Sequence, residues 1–434
     1  MTYNIFDSSA PAMPRFGKGT EILRLITSQV SAEMKEAIVP TPFPALASHL
    51  QDVKVKYCNN RFLELNGQIC HLIGSSGAGK DQLDMIVESI CRTFRAHDEI
   101  EMRKASAWQA KSKKEREESN RPTVAIYFPP CDTTKPAFLQ NAIACENDGG
   151  HAQYFNQPEV EMLDGLCGGR KASGQMLINI HDVKRVGALR ATAEGVSGNP
   201  LMRANINISS TEEAARAYYK RDIRTGKLGR VCFAFKPRGE RKGKIPREGS
   251  YNEEFLAKLD SYLERLDNVH GSFIIKPLNK IADQLAEEMV KIADLTDDDT
   301  LFDLSHRCIL SAWKKGATLW LLNNQTWTHS IGEFVIWFCY YDLWSKIQVM
   351  GDMFRPDTTI EDVLKSGPKN MLDHINKATF SQSELEALRA SLGKSVSGTK
   401  HQLSVWVNRG FITFSSQTGL YTKTKSEKVK KLKS

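Results

Sequence analysis

At 434 residues the chain has room for about three domains of ~150 residues, which excludes a small disulfide-held scaffold. Hydrophobic residues make up 41% and charged residues 25%, a balance that fits neither wholesale disorder nor a membrane-embedded protein. Lys and Arg number 59 against 51 Asp and Glu, so the net charge of +8 is modest and only its placement can point to a polyanionic partner.

The nine cysteines are too far apart for a C-x-x-C zinc or redox pair and lie in apolar runs, as expected of reduced thiols in a cytoplasmic protein. The start shows no basic stretch followed by an apolar one, so no secretory leader is expected. The most apolar helical stretch, 331–344, carries Glu333 and Asp342 and is too short for a bilayer core that needs ~20 apolar residues. It is expected to be a core helix, and no membrane partner is expected.

Residues 1–20, rich in Ser, Pro and Gly, are expected to be mobile. Thr20 can cap a helix along which Leu23, Ile26, Val30 and Met34 recur, and Pro40, Pro42 and Pro44 are expected to break the chain before a short helix over 46–50. A hairpin over 53–57 and 61–65 then feeds a buried strand over 68–73. Helix and strand alternate from there: a helix over 80–96, a basic extension to 120, a strand over 123–128, a helix over 134–144, strands over 151–156, 176–180 and 204–209, a helix over 211–221, and a strand over 230–235. This is the pattern of an α/β core with a mostly parallel sheet. The extension over 103–121 reads as a solvated helical protrusion or as a DNA-facing basic helix. After a charged, Gly-rich linker over 236–249, leucine and isoleucine spacings predict four helices, whose aromatic residues are assigned to packing rather than to base stacking.

The run Gly74, Ser75, Ser76, Gly77, Ala78, Gly79, Lys80 matches the glycine-rich phosphate loop G-x-x-x-x-G-K. Glycines let successive backbone N–H groups turn onto phosphate oxygens, a helix N-terminus adds its dipole, and the lysine ammonium reaches the β and γ phosphates. An apolar strand ends at Gly74 and a helix is expected to open at Lys80, the context this chemistry needs. Position 81 holds Asp81 in place of the hydroxyl that normally helps hold Mg2+; its carboxylate could hold the ion or repel the nucleotide. Glu159 lies just past a strand end, with Pro158 where a metal-holding Asp would stand. It reads as the group that polarises water, or as an acidic residue favoured by a helix N-terminus. Asn207 lies on a further strand, where a side chain could sense the γ-phosphate. Arg230, near Gly226 and Gly229, is the preferred arginine finger, supplied across a subunit boundary.

The segments GSSGAGKD, QPEVEMLD, INISSTEEAARAYY and GKLGRVCFAF together resemble the P-loop ATPase domain of primase-helicase-like proteins of phages, plasmids and mobilisable elements, over about residues 21–344. The resemblance implies a RecA-like core, ATP with Mg2+ as cofactors, and assembly into a homo-oligomer such as a hexameric ring. It maps Lys80 to the phosphate-loop lysine, Glu159 to the acidic Walker B position, Asn207 to the sensor strand and Arg230 to the arginine after the next glycine. Asp81 and Pro158 depart from the standard pair of Walker motifs.

Near the C-terminus, a helix over 371–376, a capping box of Ser381 and Glu384 opening a helix over 382–391, a helix over 401–408 and two strands over 411–414 and 419–422 follow the order of a winged helix. Its DNA contacts would be Lys400, His401, Gln402 and Arg409, with Lys423, Lys425 and the rest of a lysine-rich tail on phosphates; a protein-binding winged helix is the alternative. The expected domains are therefore a leader and helices (1–52), a RecA-like P-loop core (53–249), a helical block (250–366), a winged helix (367–422) and a basic tail (423–434). The expected function is a helicase-like ATPase acting on DNA in replication or mobilisation of a bacterial mobile element. The rival is a nucleotide-binding, non-hydrolysing DNA adaptor or replication initiator.

Overall fold

The computed structural model describes residues 3–119, 122–187, 197–220, 226–239, 249–296, 299–354, 371–391, 396–408 and 411–424. Residues 3–20 are tied down rather than loose: Ile5 is buried, and the indole N–H groups of Trp337 and Trp344 donate to the carbonyls of Pro11 and Asp7, both at 2.9 Å. Helix α1 (Glu21–Thr27) is shorter than its apolar spacing suggested, and α2 (Lys35–Ile38) follows a turn. Pro42 and Pro44 begin α3 (Pro42–Ser48) instead of breaking the chain, because a first helical turn needs no N–H from them.

Strands β1 (Val53–Lys56) and β2 (Phe62–Glu64) pair antiparallel as expected. The central sheet is built from β3 (Ile69–Gly74), β4 (Gln153–Gln157), β5 (Ala204–Ser210) and β6 (Cys232–Lys236), in the order β4-β5-β3-β6 with every pair parallel. Every residue of β3 is buried, as befits a strand covered on both faces. Between β3 and β4 run α4 (Gln82–Ile90), α5 (Arg92–Gln109), α6 (Lys113–Glu117) and α7 (Lys135–Asn147); the single helix expected over 80–96 is divided at Cys91. The basic extension is largely exposed helix, with the capping box of Ser112 and Glu115 opening α6.

Two expected strands are corrected. Residues 123–128 form extended chain outside the sheet: the carboxylate of Asp98 takes the backbone N–H groups of Tyr127 (2.8 Å) and Phe128 (2.7 Å), leaving one bond from Tyr154 N–H to the Tyr127 carbonyl. Residues 176–180 lie in a helix, for after α8 (Met162–Cys167) comes α9 (Arg170–His181), which buries Ser173, Met176, Leu177 and Ile180 at helical spacing. Beyond β5 come α10 (Glu212–Tyr219) and the short α11 (Lys227–Arg230), so Arg230 ends a helix rather than opening a strand.

The helical block comprises α12 (Glu253–Asp267), α13 (Lys276–Thr296), α14 (Asp299–Leu322) and α15 (His329–Phe354). A strand missed in the sequence, β7 (Gly271–Phe273), pairs parallel with β1 and so joins this block to the hairpin. The block also packs on β6. Asp342 and Lys346, wholly buried, form an ion pair at 2.8 Å; Asp342 accepts the Phe233 N–H at 2.8 Å, and the Tyr341 hydroxyl donates to the Phe235 carbonyl at 2.9 Å. One hydrophobic core consequently runs from Ile5 to Met350, across the boundary expected at 249.

The C-terminal part has its own small core around Leu385, Leu403 and Trp406. Helices Met371–His374, Gln382–Ser391 and Thr399–Asn408 pack with β8 (Thr379–Phe380), β9 (Ile412–Ser415) and β10 (Leu420–Lys423), an antiparallel sheet of order β8-β10-β9. The capping box is present: Ser381 N–H donates to Glu384 Oε2 at 2.8 Å and Glu384 N–H to Ser381 Oγ at 3.2 Å.

Candidate phosphate-binding site

In a parallel sheet all carboxyl ends share one edge, where ligands of open α/β folds bind. Here that edge carries Gly74 at the end of β3, Ser210 at the end of β5, Lys236 at the end of β6, and Glu159 two residues beyond β4. From Gly74 the chain turns through Ser75, Ser76, Gly77, Ala78 and Gly79 into α4. Gly77 (φ +72°) and Gly79 (φ +82°) take left-handed conformations that L side chains rarely adopt, and a Cβ at Gly77 would meet open space. The loop thus leaves open space beside Gly77, just ahead of a helix N-terminus.

Lys80 Nζ folds back on the carbonyls of Gly74 (3.1 Å) and Ser75 (3.0 Å). Burial holds its pKa below the usual lysine range, opposed by the negative charges of Glu159 and Asp81. Both carboxylates are exposed, and among the described residues neither has a hydrogen-bond partner, so both are open to a new ligand. The loop is braced from outside: Gln82, buried, accepts the Ser31 N–H at 2.9 Å and donates to Ser31 Oγ at 3.1 Å. Asn156, on β4, donates to Asp84 of α4 at 2.7 Å, which links the phosphate-loop helix to the strand that presents Glu159.

Beneath the loop is a polar chain that the sequence did not signal. Ser210 Oγ donates to the Thr211 carbonyl (2.9 Å), so it accepts from His71 Nε2 (2.8 Å), which leaves His71 Nδ1 to accept from the Tyr219 hydroxyl (3.1 Å). Burial first, and the Lys80 charge second, push the His71 pKa down to about 3, so the ring is neutral. Lys236, placed in a linker by composition, lies opposite Gly74 in register and adds a second cation to the edge.

Other expected site residues lie elsewhere. Asn207 is fully buried within β5, its amide donating to the Thr41 carbonyl (2.9 Å) and accepting from the Tyr154 hydroxyl (2.9 Å), so it ties the sheet to α3 and is closed off from solvent. Arg230 is at the amino end of β6, the opposite edge of the sheet, bonded to Asp182 (3.3 Å) and to the Gly226 carbonyl (2.9 Å). Lys400 is exposed on Thr399–Asn408, and His401 shares that helix. Gln402 is buried and accepts from the Arg389 guanidinium, so it is a core contact rather than a DNA contact. Lys423 is occupied, donating to the carbonyls of Leu372 and Ile375. Arg409 and Lys425 lie outside the described residues.

Lys80 on the loop and Lys236 in register with Gly74 place two cations at this edge, and the Ala78 N–H is turned onto the Ser75 carbonyl at 3.2 Å. Among the described residues no group of three or more His, Cys, Asp or Glu is placed to hold a metal ion, and Asp81 and Glu159 are the exposed carboxylates whose charges act on Lys80. No helix of the described residues is long and apolar enough to cross a membrane. No family model matches the chain, and no curated protein is significantly similar to it.

Proposed function

We propose that the chain is a P-loop ATPase with a RecA-like core that works on DNA as an oligomer in the cytoplasm, in replication or mobilisation of a mobile element. The observation that carries this proposal is the turn from β3 into α4, with Lys80 on the loop carbonyls and Glu159 on the same edge. One strand, β5, separates β3 from β4, a spacing of about 10 Å, which is room for a terminal phosphate and an attacking water. Loop amides and Lys80 would hold the phosphates, Glu159 would orient and polarise the water, and Asp81 would complete the metal site. Bound Mg2+ supplies neutralisation of charge on the phosphate oxygens.

Arg230 is separated from its own phosphate loop by the length of β6, ~16 Å at ~3.3 Å per residue, and is held by Asp182, so as a finger it would act across a subunit boundary and would have to leave that carboxylate. The DNA part draws on the sequence resemblance, on the C-terminal order of helices and strands expected of a winged helix, and on exposed Lys400. A second reading, a nucleotide-binding DNA adaptor without turnover, is favoured by Asp81 in place of a hydroxyl and by Pro158 in place of a metal-holding carboxylate.

The test is ATP hydrolysis by the purified chain with and without single-stranded and duplex DNA, beside Glu159→Gln. DNA-stimulated turnover that the variant loses, with nucleotide binding retained, supports the motor. Tight DNA binding with no turnover leaves the adaptor.

A further inference from the structure

The amino edge of the central sheet, opposite the phosphate loop, opens into a cleft of about 1040 Å3 between the β1–β2 hairpin, α9, α11 and α14. Five Lys or Arg line it against three carboxylates. Two of those carboxylates are already engaged: Glu64 is held by Arg203 through two bonds (2.7 and 2.8 Å), and Asp182 by Arg230 (3.3 Å), Lys184 (3.2 Å) and His181 (2.8 Å). The third, Asp303, is exposed and acts on Arg307 only through its charge. Lys314 is buried on the carbonyls of Asn66 (2.7 Å) and His181 (3.0 Å).

Two cations are left without partners. Arg307 is half-buried, and among the described residues its guanidinium has no hydrogen bond and no ion pair; Arg61, exposed on the hairpin, has none either. Burial first and the charge of Arg230 second disfavour the Arg307 cation, against the favouring charges of Asp182 and Asp303, and an anion placed there would add to the favouring side. The backbone of α11 is shaped for these side chains. A Cβ on Gly229 would lie 2.9 Å from Arg307 Cγ, and one on Gly226 (φ +75°) would lie 3.0 Å from Arg230 Nη1. Five N–H donors in a planar fork match phosphate oxygens in pairs, and the volume exceeds what one phosphate group needs.

We propose that this cleft binds phosphate oxyanions through Arg307 and Arg61, as a second site separate from the phosphate loop. The ligand is a run of phosphates, from a nucleic-acid backbone or a free polyphosphate. The site does not depend on the ATPase proposal, and a Lys80→Ala parent keeps the two apart.

In that parent, binding of a short fluorescein-labelled single-stranded oligonucleotide is followed by anisotropy across a salt series, and binding of inorganic tripolyphosphate by calorimetry. Arg307→Gln is expected to weaken binding about ten-fold and to lower the salt slope by about one; Arg61→Gln, on the exposed hairpin, should act likewise without disturbing the core, and Arg307→Lys should restore part of the loss. A loss seen with the oligonucleotide assigns the cleft to a nucleic-acid backbone, and a loss confined to tripolyphosphate assigns it to a free polyphosphate; either supports the site. Variants that bind both probes as the parent does, or a parent that binds neither, overturn it.

Discussion

Lys80 is held between opposing influences. Burial beside the loop carbonyls disfavours its charge, while Glu159 and Asp81 favour it, and a triphosphate would settle the balance by replacing the two carbonyl contacts. His71, directly beneath, contributes through its neutrality. Its folded pKa of about 3 lies below the unfolded value near 6.5, so between those limits the unfolded state binds the extra proton. Its contribution to stability is therefore complete above pH 6.5 and is lost as the pH falls toward 3. Urea midpoints measured from pH 7.5 downward should fall, with up to about 1.4 kcal/mol per pH unit due to this ring, and His71→Gln should flatten the profile. An unchanged slope in the variant would show that His71 does not supply the dependence. The glycine turn from β3 into α4 was readable from its own residues because glycine spacing acts locally. The His71–Ser210–Tyr219 chain was not, since it joins residues up to 148 positions apart.

Among elements, the contact that matters most to the sheet is α15 on β6. Asp342 and Lys346 are both inaccessible to solvent, and removing one leaves a buried charge without its partner. Asp342→Ala should lower unfolding free energy by about 3–5 kcal/mol in chemical denaturation. Helix α14 meets its neighbours at Gly316, where a Cβ would come within 2.4 Å of Val335 Cγ2 and 2.9 Å of Leu278 Cδ1. Gly316→Ala should cost about 1–3 kcal/mol through overpacking, read as a lower thermal midpoint. The long helices were legible because leucine and isoleucine recur at 3–4 residue spacing over several turns. The short apolar runs misled in both directions: 176–180 satisfies helix and strand patterns alike, and 123–128 has strand composition but loses its ladder to Asp98. Strand β7 has three residues and no periodicity to detect.

The whole molecule is a large α/β body whose single core includes the N-terminal segment and the helical block, followed by a small C-terminal unit with a core of its own. Sequence composition divided what packing unites, because a change from alternating elements to helices does not show which faces remain uncovered. With separate cores, a chain ending at residue 354 should bind ATP as the full chain does and lose affinity for duplex DNA; equal DNA affinity of the truncated and full chains would remove the C-terminal unit from DNA binding. The two sheet edges have different chemistries, a glycine loop with lysines at the carboxyl edge and an arginine cleft at the amino edge. ATP with Mg2+ is expected to bind at the first of them. Equilibrium binding of ATP with Mg2+ to the full chain and to Lys80→Ala tests it most directly: one saturable site per chain, weakened at least ten-fold in the variant, is the predicted result, and absent binding, or equal binding by both proteins, would contradict it.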